Sequence, residues 1–172
     1  FRVLVIDSSS DDATADAARE AGCEVVVIER SDFNHGGTRQ RALLHLDDCD
    51  IVIFLTQDAL LADHKALANL LSAFDNPGVG AAFGRQLPHE DATPIAAHAR
   101  HFNYSPYSRV VGSEDIPQLG IKTAFLSNSF AAYRREVLLE AGGFPEGTIL
   151  SEAVTARLAA GLLRRGMRLP FS

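Results

Sequence analysis

The chain has 172 residues, with 16 Lys plus Arg against 22 Asp plus Glu for a formal charge of −6, and is 47% apolar. That is the size and apolar content of one ordinary folded domain, which excludes a disordered segment, and no apolar run nears the roughly 20 residues of a membrane span. The acidic balance, without a local basic stripe, argues against nucleic acid as a partner. Cys23 and Cys49, lacking any C-x-x-C spacing, suggest two small buried hydrophobes in a reducing, cytoplasmic setting rather than a disulfide framework or a zinc ribbon.

The chain opens on Phe1, already inside what reads as a strand, so a piece of a longer protein is expected. Arg2-Val3-Leu4-Val5-Ile6 is a continuous aliphatic run of the kind buried on both faces, and it stops at Asp7-Ser8-Ser9-Ser10-Asp11-Asp12. Asp11 or Asp12 can cap a following alanine-rich helix that Gly22 ends. Glu24 to Ile28 is a second strand, and a polar loop from Glu29 to Gly37 leads to a helix from about Thr38 to Leu46. Ile51 to Leu55 is a third strand. Leu67, Leu70, Leu71 and Phe74 fall at helical spacing ahead of a fourth strand, Val79 to Phe83. Strands alternating with helices predict an α/β fold with a mostly parallel, helix-covered sheet.

From Arg85 to Gly120 four prolines predict an irregular insertion with one short helix near Ile95 to Phe102. Thr123 to Tyr133 has strand character, Arg134 to Ala141 a short helix closed by Gly142-Gly143, and Ser151 to Arg165 a final helix.

In an open parallel sheet ligands bind where strands exit and the next helices begin. The four exits carry Asp7 with three serines; Asn34, His35 and Gly36-Gly37; Thr56-Gln57-Asp58; and Gly84-Arg85-Gln86, all expected on one rim. Asp58 is either a ligand for a divalent cation, magnesium or manganese, that also holds phosphate oxygens, or a helix cap. Asp7 either contacts a ligand or organises its own serine turn. Gly36-Gly37 before a helix starting near Thr38 would leave N–H groups bare for an anion, with Arg39 adding charge. His98 and His101 share an i, i+3 spacing, but no third zinc ligand is evident nearby.

Val5-Ile6-Asp7-Ser8-Ser9-Ser10-Asp11 resembles the strand and turn that open the nucleotide site of family 2 glycosyltransferases. Phe33 to Arg39, Phe54 to Ala59, Gly84 to Pro88, Leu126-Ser127-Asn128, Ala132 to Arg135 and Gly142 to Pro145 resemble its rhamnosyltransferase-like branch, in order, over nearly the whole chain. The resemblance implies a GT-A-like single domain lacking the usual first strand, and truncated at both ends. It implies an inverting transfer of a sugar, such as rhamnose, from a nucleoside diphosphate sugar to a glycan or lipid-linked acceptor hydroxyl in cell-envelope polysaccharide synthesis.

By the same resemblance Asp7, Ser9, Gly37 and Arg39 would hold the nucleotide. Asp58 would hold the metal, as the last acid of a D-x-D motif whose first acid is Thr56 here. Gln57, Arg85, Ser127 and Asn128 would face donor sugar or acceptor. Family members place a Glu-Asp pair at the last helix, with the Asp as base; here it reads Glu152-Ala153. Glu152 is then the carboxylate left for base catalysis, although a glutamate in a helix's first turn also serves stability. Ala153 motivates a rival expectation of a silent nucleotide-sugar or glycan binder. A bare sheet edge in so short a piece would invite a homodimer, and a lipid-linked acceptor would require peripheral docking at the membrane's inner face.

Overall fold

The computed structural model describes residues 1–145 and 151–171, the side chains of residues 151–155, 157 and 171 excepted. The chain divides into two compact units, Phe1–Asp48 with Phe144–Val154, and Cys49–Gly143 with Thr155–Ser172.

In the first unit β1 (Leu4–Asp7) pairs in parallel with β2 (Glu24–Val27), register running from Leu4 opposite Glu24 to Asp7 opposite Val27. The crossover between them is α1 (Thr14–Glu20), whose Thr14 N–H donates to the Asp12 carboxylate at 3.0 Å. The two strands are only half covered, with Val3 and Val27 exposed, rather than buried on both faces as their aliphatic runs suggest. Buried Ile28 and Leu43 anchor this unit, Leu43 from α2 (His35–His45). At its surface Glu24 accepts from Arg2 at 2.9 Å and pairs with His45 at 2.5 Å, while Arg2 also reaches Asp48 at 2.5 Å. The two partners hold the Glu24 carboxyl below its ordinary range, His45 first and Arg2 next.

The second unit is built on five strands: β3 (Ile51–Leu55), β4 (Ala81–Phe83), β5 (Arg109–Val111), β6 (Phe130–Arg134) and β7 (Leu169–Phe171), in the order β3-β6-β4-β7-β5. Its helices are α3 (Ala66–Ser72), α4 (Pro94–Asn103), α5 (Ile116–Leu119), α6 (Arg135–Glu140) and most of α7 (Ser151–Arg164). The α/β class holds, but the expectation of a mostly parallel sheet needs correction. β6 runs antiparallel to β3 and to β4, β5 antiparallel to β7, and only β4 with β7 is parallel. The reason lies in the connection. β6 follows the long excursion through α4, β5 and α5 and enters from the end at which β3 and β4 leave, so it pairs with both in the reverse sense.

β6 lies between β3 and β4 in this sheet, with Ala131, Ala132 and Tyr133 fully buried. Ala132 faces Leu70, Phe74, Val79 and Ala82 in one apolar cluster. On the alternate pleat Tyr133 meets Phe54 edge to face, ring centroids 6.0 Å apart. The helix expected near Ile95 to Phe102 is α4, ten residues long and capped by Thr93 Oγ1 on the Ala96 N–H at 3.3 Å, and the otherwise irregular stretch also holds a three-residue strand. The strand expected from Thr123 starts only at Phe130, and residues 120–124 form a 3₁₀ turn. Cys23 and Cys49 are half-buried rather than buried. Among the described residues no helix is long and apolar enough to cross a membrane.

Candidate functional site

The antiparallel entry of β6 is what gathers polar groups in the second unit. The Thr56 N–H, just past β3, donates to the Ser129 carbonyl at 3.0 Å, and the Gly84 N–H, just past β4, donates to the Phe130 carbonyl at 2.9 Å. Both exits are therefore tied to the start of β6. Glycine is required at residue 84, because a Cβ there would lie 2.4 Å from Cδ1 of Phe130. The result brings Gln57, Asp58, Arg85, Ser127 and Asn128 to one end of one sheet, as the strand-exit argument anticipated for the third and fourth strands. Gln57 and Asp58 are exposed, Arg85 is half-buried, and Ser127 and Asn128 are buried.

Three further side chains fix the 127–129 loop, and sequence reasoning did not assign them a role. Gln86 Nε2 donates to Ser127 Oγ at 2.9 Å and to Ser129 Oγ at 2.8 Å. The Tyr133 hydroxyl donates to Asn128 Oδ1. Buried Tyr104 is bonded to Ser127; burial pushes its phenol above the ordinary value, and the Ser127 bond opposes that. The signal was present, since two tyrosines and a glutamine sit within motifs or beside prolines, but their partners are distant in sequence.

Against this order stand three buried polar atoms at the same rim, Thr56 Oγ1, Arg85 Nε and Asn128 Nδ2, with no hydrogen-bond partner among the described residues. Leaving a buried donor or acceptor unpaired costs about 1–3 kcal/mol each. Three together leave hydrogen-bonding capacity unspent at this end of the sheet.

In the first unit Asp7 ends β1, buried, its carboxylate accepting from Ser10 Oγ at 2.5 Å and from the Ser10 N–H at 3.0 Å. These bonds, side chain first and backbone next, hold the Asp7 carboxyl below its ordinary value, so it is an anion at neutral pH. Ser9 adopts a left-handed backbone, φ 54°, and donates its hydroxyl to the Ile28 carbonyl at 2.8 Å; Arg30 donates to the Ser9 carbonyl at 2.8 Å. Asp7 thus organises the serine turn.

The bare-amide expectation at Gly37 needs correction. α2 starts at His35, three residues earlier than expected, with Asn34 as its cap, and Asn34 Oδ1 takes the Gly37 N–H at 2.6 Å. A Cβ on residue 37 would lie 2.8 Å from that amide, so the glycine makes room for the cap. Arg39 Nη1 donates to the His35 carbonyl at 3.0 Å. Asp32, Asn34, Gly37, Thr38, Gln40 and Arg41 line a mixed hollow along this helix start.

Among the described residues no three acids, histidines or cysteines cluster as a complete metal-binding set. Asp58 alone suits a cation that arrives with phosphate oxygens and keeps its waters, which is how magnesium commonly binds beside substrate phosphates. His98 and His101 both lie on α4, where His98 stacks on Phe102, ring centroids 6.2 Å apart. The Glu152 side chain lies outside the described residues.

This α/β arrangement is the GT-A glycosyltransferase fold. The mannosyltransferase PcManGT from Pyrobaculum calidifontis, solved with GDP-Man and Mn2+, superposes with a TM-score of 0.64 at 22% identity, over 99% of this chain and 47% of that one. S. aureus TarS 1-349 gives 0.73 at 17% identity, over 100% of this chain and 48% of that one. Residues 1–142 match the sequence pattern of Glycosyl transferase family 2, and the chain belongs to that family. It is 50% identical over 171 residues to the O-antigen chain rhamnosyltransferase RfbN of Salmonella typhimurium, and 48% over 170 residues to the O-antigen chain rhamnosyltransferase WbaN of Salmonella anatum. Each match covers 99% of this chain but 54% and 53% of the relatives, so the chain spans about half their length.

Proposed function

We propose that this chain carries the donor-handling part of an inverting glycosyltransferase. It would move rhamnose from a nucleoside diphosphate to an acceptor hydroxyl on a growing cell-envelope polysaccharide. The observation that carries the reading is the polar end of the second unit's sheet, where the strand exits leading to Asp58 and Arg85 are tied to the start of β6, the loop before it is held by Gln86 and Tyr133, and three buried polar atoms have no hydrogen-bond partner among the described residues. The two rhamnosyltransferase relatives support the sugar.

In such a transfer the acceptor oxygen attacks the anomeric carbon as the bond from that carbon to the diphosphate oxygen breaks. The hydroxyl proton passes to a base, and the diphosphate leaves with the bonding electrons. Asp58 would hold a magnesium or manganese ion, which when bound offsets charge on the diphosphate. Arg85 adds a fixed cation at the same sheet end, and Gln57 and Ser127 offer hydrogen bonds to donor sugar or acceptor. Asp7, Ser9 and Arg39 serve the nucleoside; the Gly37 N–H, bonded to Asn34, is left out of this set. Glu152, in the first turn of α7, is the base in this reading.

Calorimetric titration with dTDP, UDP and GDP, with and without manganese, tests the binding. Asp58→Ala is expected to abolish the manganese-dependent part of nucleotide affinity, and unchanged affinity would remove Asp58 as the ligand. Glu152→Gln is expected to lower transfer at least 100-fold with donor binding intact. Ala153, standing where family members carry the base, favours a second reading, a silent nucleotide-sugar or glycan binder. Metal-dependent binding without any release of diphosphate would select it. The same proposal places the protein in the cytoplasm, peripheral to the inner face of the membrane, with a lipid-linked or glycan acceptor. Pairing through a sheet edge as a homodimer would appear as a doubled mass in sedimentation.

A further inference from the structure

The surface of α4 has no task in the proposed reading. Its ten residues, all described, include none that is buried. Ile95 and Phe102, seven residues or two helical turns apart, stand on one side of it at 84% and 69% exposure. Apolar residues scattered singly over a surface need no explanation, but these two are joined to a second element. The ammonium of Lys122, from the 120–124 turn, lies over the Phe102 ring at 5.2 Å from its centroid, and Ile121, next to it in the chain, is 90% exposed. Three large apolar tips and a long cation therefore lie along one surface, and α4 adds exposed Arg100. The sequence around them lacks acids. The chain carries a net charge of −6, yet residues 92–113 and 116–135 contain no Asp or Glu. The two acids between those stretches are engaged, Glu114 with Arg168 at 3.0 Å and Asp115 accepting from the Gly112 N–H at 2.9 Å.

We propose that this face of α4 and the 120–124 turn docks on an anionic lipid bilayer, with Ile95, Phe102 and Ile121 entering the acyl boundary and Lys122 and Arg100 meeting lipid phosphates. This rests on the peripheral placement proposed above and deepens it by naming the surface and the lipid charge. Apolar tips beside long cations, without acids, are the composition of a helix lying in the plane of a membrane interface, where the stems of Lys and Arg keep apolar company while their heads reach phosphate. An anionic surface attracts each such cation over about a screening length. A glycan would ask for hydrogen-bonding side chains among these tips, and Ile95 and Ile121 offer none. The turn also leads, within three residues, into the 127–129 loop of the candidate site, so docking here holds that segment of the chain at the bilayer, where a lipid-linked acceptor lies.

The test uses neither donor nor acceptor, and dTDP binding, titrated in parallel, judges the sugar-transfer reading by itself. The 172-residue chain has no tryptophan, so Phe102→Trp places a single indole in the patch, and Leu44→Trp places one on α2 in the first unit, where Leu44 is exposed. Both are titrated with vesicles of phosphatidylcholine and phosphatidylglycerol, three parts to one, and with vesicles of phosphatidylcholine alone. Emission from Phe102→Trp is expected to move to shorter wavelength on the mixed vesicles and to be quenched by brominated acyl chains, while emission from Leu44→Trp stays unmoved. Lys122→Glu and Ile121→Ser, both at exposed positions, are each expected to weaken co-sedimentation with the mixed vesicles at least about fivefold. Unmoved emission from Phe102→Trp, equal binding to phosphatidylcholine alone, or binding unchanged in both variants would overturn the assignment. So would a doubled sedimenting mass that Phe102→Ser halves, since that gives the face to a second copy of the chain.

Discussion

Ser10 holds Asp7 through two hydrogen bonds, and the consequence is measurable as a function of pH. The folded carboxyl titrates below its unfolded value, so its contribution to stability is fully present above the unfolded value and is lost as pH falls through the depressed folded one. Ser10→Ala removes the larger of the two bonds. The Asp7 carboxyl should then titrate closer to the ordinary range by carbon-detected NMR, and the acid-unfolding midpoint should move to higher pH; an unmoved titration would contradict the assignment. Gly84→Ala forces a Cβ against the Phe130 ring at the point where β4 is tied to β6. It should cost about 1–3 kcal/mol in urea unfolding, because the ring must move out of a packed site. The polar residue types at each strand exit were legible from the sequence because exits follow aliphatic runs. What they bond was not. Whether Asp7 contacts its own turn was not readable from the sequence, and the bonds from Ser10 to its two oxygens appear only in the fold.

Elements were legible in proportion to how local their causes are. α1, α3, α4, α6 and α7 follow from helix-forming or apolar-periodic residues between stop signals, and the structure has a helix at each. α2 begins early because Asn34 caps it, a choice made by one side chain three residues from a glycine. Asn34→Ala should cost about 1 kcal/mol and speed amide exchange at Gly37, the N–H that the cap holds. β5 and β7 escaped notice because each has three residues and pairs with the other across more than fifty residues of chain. The direction of β6 was likewise hidden, since no periodicity records which way a strand enters. Arg134 shows the same non-local logic. Its guanidinium donates to the carbonyls of Val79 at 2.9 Å, Phe74 at 2.6 Å and Asn76 at 3.2 Å, and lies over the Phe74 ring. It clamps the turn between α3 and β4 to the end of β6. Arg134→Met should destabilise the chain by about 2–3 kcal/mol in chemical unfolding, since three carbonyls lose a charged donor at once.

For the whole molecule, ordered motifs along the chain made the family legible before any coordinates, and the match to Glycosyl transferase family 2 over residues 1–142 bears it out. The positioning apparatus was not legible, because Gln86 and Tyr133 act on a loop that their own neighbours in sequence do not form. In the proposed reading the end of the second unit's sheet, where β3 and β4 leave and β6 enters, receives a nucleoside diphosphate sugar with its cation. Paramagnetic broadening of backbone amide signals by manganese, titrated in the presence of dTDP, tests it most directly. The amides of Thr56, Gln57, Asp58, Arg85, Ser127 and Asn128 should broaden first, and Asp58→Ala should abolish the effect. Broadening centred on other carboxylates, or unchanged by that substitution, would contradict it.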